Sequence, residues 1–141
     1  MAVWVQLLEA VVAELNAGGF SQSFTAARHY LPKFDLKDTA ALIVAVAPRS
    51  FATEVLTRDR DEETFGVDVG ILKRLSSEST AEIDPLVDLV QELKDRFRAK
   101  TFAAPPAVCT EIVIDPLFDL DFLDQKRQFV SVLQLSWTLI R

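Results

Sequence analysis

The chain has 141 residues, 50% of them apolar, with only 4 Gly and 6 Pro; that suits one globular domain (1–141) with a sizeable core and excludes a disordered chain. Its 21 acidic against 15 basic residues give a net charge of −6 and a pI near 4.7, which disfavours tight binding to a nucleic-acid backbone. A single cysteine, Cys109, excludes an internal disulfide, argues against a thiolate-rich metal site and suits assembly in the cytosol.

The N-terminal run MAVWVQLLEAVVAELNAGG is apolar but lacks a basic leader and is interrupted by Glu9 and Glu14, unlike a signal peptide. Nowhere does an apolar run reach the roughly 20 residues of a membrane span. The expectation is a soluble protein with no membrane partner.

From Val3 to Ala17, Trp4, Leu7, Leu8, Val11, Val12 and Leu15 recur at the spacing of an amphipathic helix. Gly18-Gly19 supplies a left-handed stop. Phe20 to Leu31 reads as a first strand, with Phe24, Ala26, Arg28 and Tyr30 on one side and Pro32 ending it. After a polar turn at Asp35 to Thr39, Ala41 to Ala47 is apolar on both faces, as a doubly covered strand would be. Pro48-Arg49-Ser50 closes it, and Phe51 to Arg58 reads as a third strand.

Asp59 to Glu62 is a charged turn at the tip of a long hairpin, and Glu63 to Lys73 is the return strand. Phe65, Val67, Val69 and Ile71 share one face of it; Gly66 and Gly70 lie on the other. Such bare positions mark either the close approach of another backbone or a bulge in a locally weak strand.

Ser76 to Thr80 is a polar linker. A second helix follows, with Asp84 as N-cap and Pro85 at the first helical position. Leu86, Val87, Val90, Leu93 and Phe97 form its apolar stripe, and Ile83 staples the entry. Asp84 and Asp88 sit early, and Lys94, Arg96, Arg98 and Lys100 late, as the helix dipole favours. A linker at Ala103 to Pro106 leads to a strand over Val108 to Asp115, with Cys109 and Glu111 on one side. An acidic loop at Pro116 to Asp124 then enters the strand Lys126 to Ile140, whose face of Phe129, Leu133, Leu135, Trp137 and Leu139 requires an apolar cover. The order is αββββαββ: an α+β fold, a mostly antiparallel sheet with two amphipathic helices on one face.

Candidate chemistry is sparse. His29, the only histidine, lies in no catalytic motif and reads as a strand residue. Cys109 has no partner at Cys-x-x-Cys spacing. Asp119, Asp121 and Asp124 invite calcium, but the glycine and closing glutamate of an EF-hand loop are missing, so a solvated acidic loop accounts for them. No phosphate-binding glycine motif occurs. The basic cluster Lys94 to Lys100 is explained by the helix dipole as well as by an acidic partner. The hairpin tip Arg58 to Glu63 differs, because long exposed edges in monomers are usually shortened or covered.

The runs FTAARHYLPKFDLKD leading to VAVAPRS, then EIDPLVDLVQEL, then RQFVSVLQLSW, resemble small tail proteins of long-tailed bacteriophages. Among these the likeness is to the tail-terminator (tail-completion) group, over nearly the whole chain. The likeness is one of structural signatures, without a catalytic motif, and neighbouring neck proteins share the size and αβ make-up.

The resemblance implies a non-enzymatic α+β subunit, without cofactor or metal, of a homo-oligomeric six-fold ring. That ring caps the head-proximal end of the tail tube, stops its polymerisation and prepares head–tail joining. Its partners would be other copies of itself, the tail tube protein and the neck or connector proteins. DNA would pass through it without specific binding. The location implied is the virion tail, after assembly in the host cytoplasm.

No functional residue transfers from the family. On hairpin geometry alone, Arg58, Asp59, Arg60, Asp61, Glu62 and Glu63 are the expected subunit or tube contacts, with Arg49 at the neighbouring strand end. The alternatives are a neck or head–tail joining protein, a small non-catalytic ligand-binding domain and, last, an unrecognised hydrolase.

Overall fold

A computed structural model describes residues 2–30, 41–76, 79–115, 117–120, 123–124 and 127–141. The elements run α1 (Val3–Asn16), β1 (Ala26–Arg28), β2 (Ile43–Thr57), β3 (Arg60–Arg74), α2 (Thr80–Phe97), β4 (Val108–Val113) and β5 (Gln128–Ile140). The strands form one sheet in the order β1-β2-β3-β5-β4. Only the β1–β2 pair is parallel; the other three are antiparallel. The α+β class with a mostly antiparallel sheet is therefore the architecture of the chain.

Period-2 patterning decides which face is covered. Register places Phe65 opposite Trp137, Val67 opposite Leu135 and Val69 opposite Leu133, and Val44 and Val46 opposite Ile71 and Val69. These side chains join Leu7, Leu8, Val11 and Leu15 of α1 and Leu86, Leu89, Val90, Leu93 and Phe97 of α2 in one core. Both helices thus cover the same face. The predicted buried stripe of β5, from Phe129 to Leu139, is at most 3% exposed. Burying each such large side chain contributes about 1.5–3 kcal/mol.

The structure corrects three element boundaries. The two strands expected at 41–47 and 51–58 are one, β2, which runs through Pro48 with a register shift between Pro48 and Ser50. Proline lacks a ladder donor, but an edge position or bulge tolerates it, and β1 reaches only Val44 to Val46. The first strand is shorter than the expected 20–31, because Phe20 to Phe24 find no strand partner. Instead Phe20 and Phe24 stack at 5.5 Å, and the Ser21 N–H and hydroxyl donate to Glu92. The polar turn at 35–39 and Pro32 lie outside the described residues.

Helix α2 starts before the predicted cap. Ser79 is its N-cap and Pro85 lies inside it, where the missing donor removes a single bond. The Glu82 carboxylate accepts from the Ser76 N–H at 2.9 Å and from its hydroxyl, which closes the linker onto the first turn. In β4 a bulge between Cys109 and Glu111 sets Cys109 opposite Trp137 and Glu111 opposite Ser136. The two residues therefore face opposite sides rather than the same side.

Two clasps fix the helices. Arg96 and Lys100 of the basic cluster reach Glu14 of α1 at 3.4 and 3.1 Å, and Arg96 stacks on Phe20 at 4.4 Å and donates to the Gly18 carbonyl. Gly18 and Gly19 have φ of 83° and 87°, as a left-handed helix stop requires. Within the core Trp137 packs against Phe97 at 6.0 Å and Phe102 at 4.7 Å.

Candidate functional site

The bulge at Pro48–Ser50 reverses the facing of β2. Before it Val44 and Val46 point to the helices; beyond it Ser50 lies opposite Gly66, and Phe51 opposite Phe65 on the helix side. Arg49, the extra residue, turns to the other face, where its Nε donates to Asp68 Oδ1 at 2.8 Å. A Cβ at Gly66 would lie 2.2 Å from Ser50 Oγ and 2.8 Å from Arg49 Nη2. Of the two readings of the paired glycines, the bulge therefore accounts for Gly66. Gly70 meets nothing closer than Leu72 at 3.5 Å.

Beyond the bulge, every residue from Arg49 to Thr57 is exposed. Phe51 is 51% and Val55 72% exposed, with Leu56 at 46%. Trp4 gives Phe51 its one aromatic contact from the helices, at 6.3 Å; past that point this arm projects beyond the helical layer. β3 and β5 support it as far as Glu62 opposite Ile140. Asp61 and Arg141 then exchange backbone hydrogen bonds at 2.7 and 2.9 Å.

The turn itself is shorter than the expected Asp59 to Glu62. Thr57 pairs with Arg60, so Arg58 and Asp59 alone form it, and the Asp59 N–H donates to Thr57 Oγ1. The predicted contact residues separate into three groups. Arg58, Asp59 and Arg60 are exposed at the tip. Asp61 and Glu62 are half-buried within β3, with Glu62 opposite Glu54. Glu63 is buried and accepts from Arg141, while Arg49 sits at the base of the arm. The exposed apolar trio of Phe51, Val55 and Leu56 was not among the expected contacts. Phe51 and Val55 alternate as in any half-buried strand, Leu56 sits at the register shift between Val55 and Thr57, and nothing in the pattern signals that the helices stop short.

The chain matches no known family model, and no characterised protein is significantly similar to it in sequence.

On the sheet face away from the helices lies a pocket of about 280 Å³ floored by Ala45, Ala47, Gly70, Val130 and Val132, with Asp68 in its wall. Burial pushes the Asp68 carboxyl above its ordinary 3.8, outweighing the nearby Arg49 guanidinium. Tyr30 also lines the pocket, and the rest of the lining is Ala, Pro, Gly, Leu and Val.

The remaining candidates are structural. His29 is half-buried and its N–H donates to the Val46 carbonyl at 2.8 Å. Cys109 is 5% exposed, and burial pushes its thiol up to about 11, away from nucleophilic use. Of the acidic loop, Asp121 lies outside the described residues, and the Asp119 N–H donates to Val130. Among the described residues no group of three His, Cys, Asp or Glu is placed to hold a metal, and no helix is long and apolar enough to cross a membrane.

Proposed function

We propose that this chain is a structural subunit of a phage tail-terminator ring. In this role it caps the head-proximal end of the tail tube, stops its polymerisation and prepares head–tail joining, without catalysis or a cofactor. One observation carries the reading beyond the sequence resemblance. The outer β2–β3 hairpin is an arm exposed from Arg49 to Thr57 and tipped by Arg58, Asp59 and Arg60, a shape that a monomer gains nothing from and that a ring subunit uses to reach its neighbour. The net charge of −6 suits a passage through which DNA slides without sticking. The partners on this reading are further copies of the chain, the tail tube protein and a neck or connector protein, in the virion tail after assembly in the host cytoplasm.

Electron microscopy of lysates from a phage carrying a stop codon in this gene tests it. Overlong, unjoined tails are expected. Tails of normal length beside filled heads would move the protein to the joining step, and intact virions would refute both. The Arg58→Glu/Arg60→Glu double variant should fold and fail to complement the stop codon. Full complementation by it would remove the tip from the contact.

The apolar pocket beside Asp68 favours a second reading, a small ligand-binding domain. A small apolar molecule that raised the melting temperature of the wild type but not of a Val132→Trp variant would support it, by the linkage of native-state binding.

A further inference from the structure

Gly66 is bare because Ser50 and Arg49 occupy its space; Gly70 has no such neighbour. A Cβ there would meet only Leu72 at 3.5 Å and the Ala45 carbonyl at 3.9 Å, both ordinary contacts. The subunit by itself therefore gives no cause for a glycine in the middle of β3, where a missing side chain weakens the strand. Gly70 lies in the floor of the 280 Å³ pocket on the face away from the helices, beside Ala45, Ala47, Val130 and Val132. Small residues on neighbouring strands leave a trough there, as where another chain approaches closely.

The arm carries what such a trough would take. Leu56 is the extra residue at the register shift between Val55 and Thr57 and is 46% exposed. Arg58 and Arg60 follow it and are exposed at the tip. The pocket is acidic where the tip is basic. Asp68 stands in its wall, held by Arg49 through Oδ1 but still 31% exposed in its side chain. Asp119 adjoins the floor, where its N–H donates to the Val130 carbonyl at 2.9 Å.

An arm cannot reach the pocket of its own subunit. From Ala47 to Leu56, β2 leads away from it by about 30 Å at roughly 3.3 Å per residue. A domain of this length is about 35–40 Å across, so the tip of one copy arrives at the pocket of an adjacent one.

We infer that the hairpin tip of one copy docks in this pocket of the next, with Leu56 against Gly70, Val130 and Val132 and with Arg58 and Arg60 at Asp68 and Asp119. Arm and pocket are different surfaces, so each copy gives one contact and receives one, and repetition by a fixed rotation closes a ring. The contact rests on the ring reading and supplies its acceptor site. A small molecule in the same pocket would leave Leu56 and the rest of the arm uncovered.

Sedimentation of the full chain tests this with one variant on each side. Leu56→Ser spoils the arm and keeps the pocket; Val132→Trp fills the pocket and keeps the arm. The wild type should sediment as a closed ring, and each variant alone as a folded monomer. Their mixture should give a one-to-one dimer and nothing larger, because a single intact arm and a single intact pocket remain between them. Arg58→Glu/Arg60→Glu and Gly70→Val provide the same pair if either first variant fails to fold.

A wild type that stays monomeric at about 1 mM overturns the inference. So does a ring that Val132→Trp still forms, and so does a mixture that stays monomeric. The stop-codon phage separates this contact from the tail role. Overlong tails together with a ring that Val132→Trp leaves intact keep the tail role and reject the contact. Intact virions together with the one-to-one dimer do the reverse.

Discussion

The Arg49 guanidinium donates to Asp68 at 2.8 Å beside the position where Gly66 carries no side chain. The bulge at Pro48–Ser50, the ion pair and the glycine are one arrangement: the extra residue in β2 needs somewhere to put its side chain, and β3 leaves a gap opposite.

Gly66→Ala should therefore cost about 1–3 kcal/mol by urea unfolding, the range for overpacking a filled site. The added methyl meets Ser50 Oγ before it meets the flexible end of Arg49, so Ser50→Ala in the same chain should recover part of the loss. Gly70→Ala meets only ordinary contacts and should change stability by less than about 1 kcal/mol. Equal costs at the two glycines would disprove the account of the bulge.

Asp68 gives the fold a pH dependence of known sign. Its carboxyl is raised above 3.8 by burial, so the folded chain holds this proton more tightly than the unfolded one. Stability from this group is highest below 3.8 and falls as pH rises from there through the folded value. Asp68→Asn should flatten that part of the stability–pH curve, measured by urea unfolding at successive pH values. An unchanged slope would mean that the carboxyl titrates as it does in the unfolded chain.

Alternate positions of β5 should respond unequally to substitution. Leu133 is fully buried under the helices, so Leu133→Ala should cost about 2–5 kcal/mol. Its neighbour Val132 lies on the opposite face, half-buried in the pocket floor, and Val132→Thr should cost less than about 1 kcal/mol. Thermal and urea unfolding report both.

Cys109 should be nearly inert while the chain is folded. A thiol moved from 9.0 to about 11 forms about a hundredfold less thiolate at neutral pH, and burial adds a steric block. Labelling with iodoacetamide at pH 8 should be at least about a hundredfold faster in urea than in buffer. Comparable rates would place the thiol at the surface.

The sequence by itself determined the class of fold and the covered face of its longest strand. Phe129, Leu133, Leu135, Trp137 and Leu139 alternate so regularly that any sheet containing them must bury that side. The stripe of α1 is as explicit, and both rest on periodicity, a local property of the chain. Boundaries were less legible: Pro48 looked like a stop because local rules penalise proline in a ladder, whereas the sheet absorbs it as a bulge at an edge. Leu89 was missed on α2 for a related reason, since the width of a buried stripe depends on how deeply the neighbouring sheet wraps it.

What only the tertiary structure decided was the fate of each face and edge. Glu63 and Arg58 are both ionised residues of the same hairpin in the sequence, yet the end of β5 buries Glu63 against Arg141 and leaves Arg58 at the tip. Cys109 and Glu111 share a parity that one bulge reverses. Phe51 and Val55 have the pattern of core residues and become surface because α1 begins only at Val3 and its Trp4 meets Phe51 at 6.3 Å. Alternation tells which side chains share a face; only the packing of distant elements determines whether anything lies over that face, and that is the fact on which the candidate site depends.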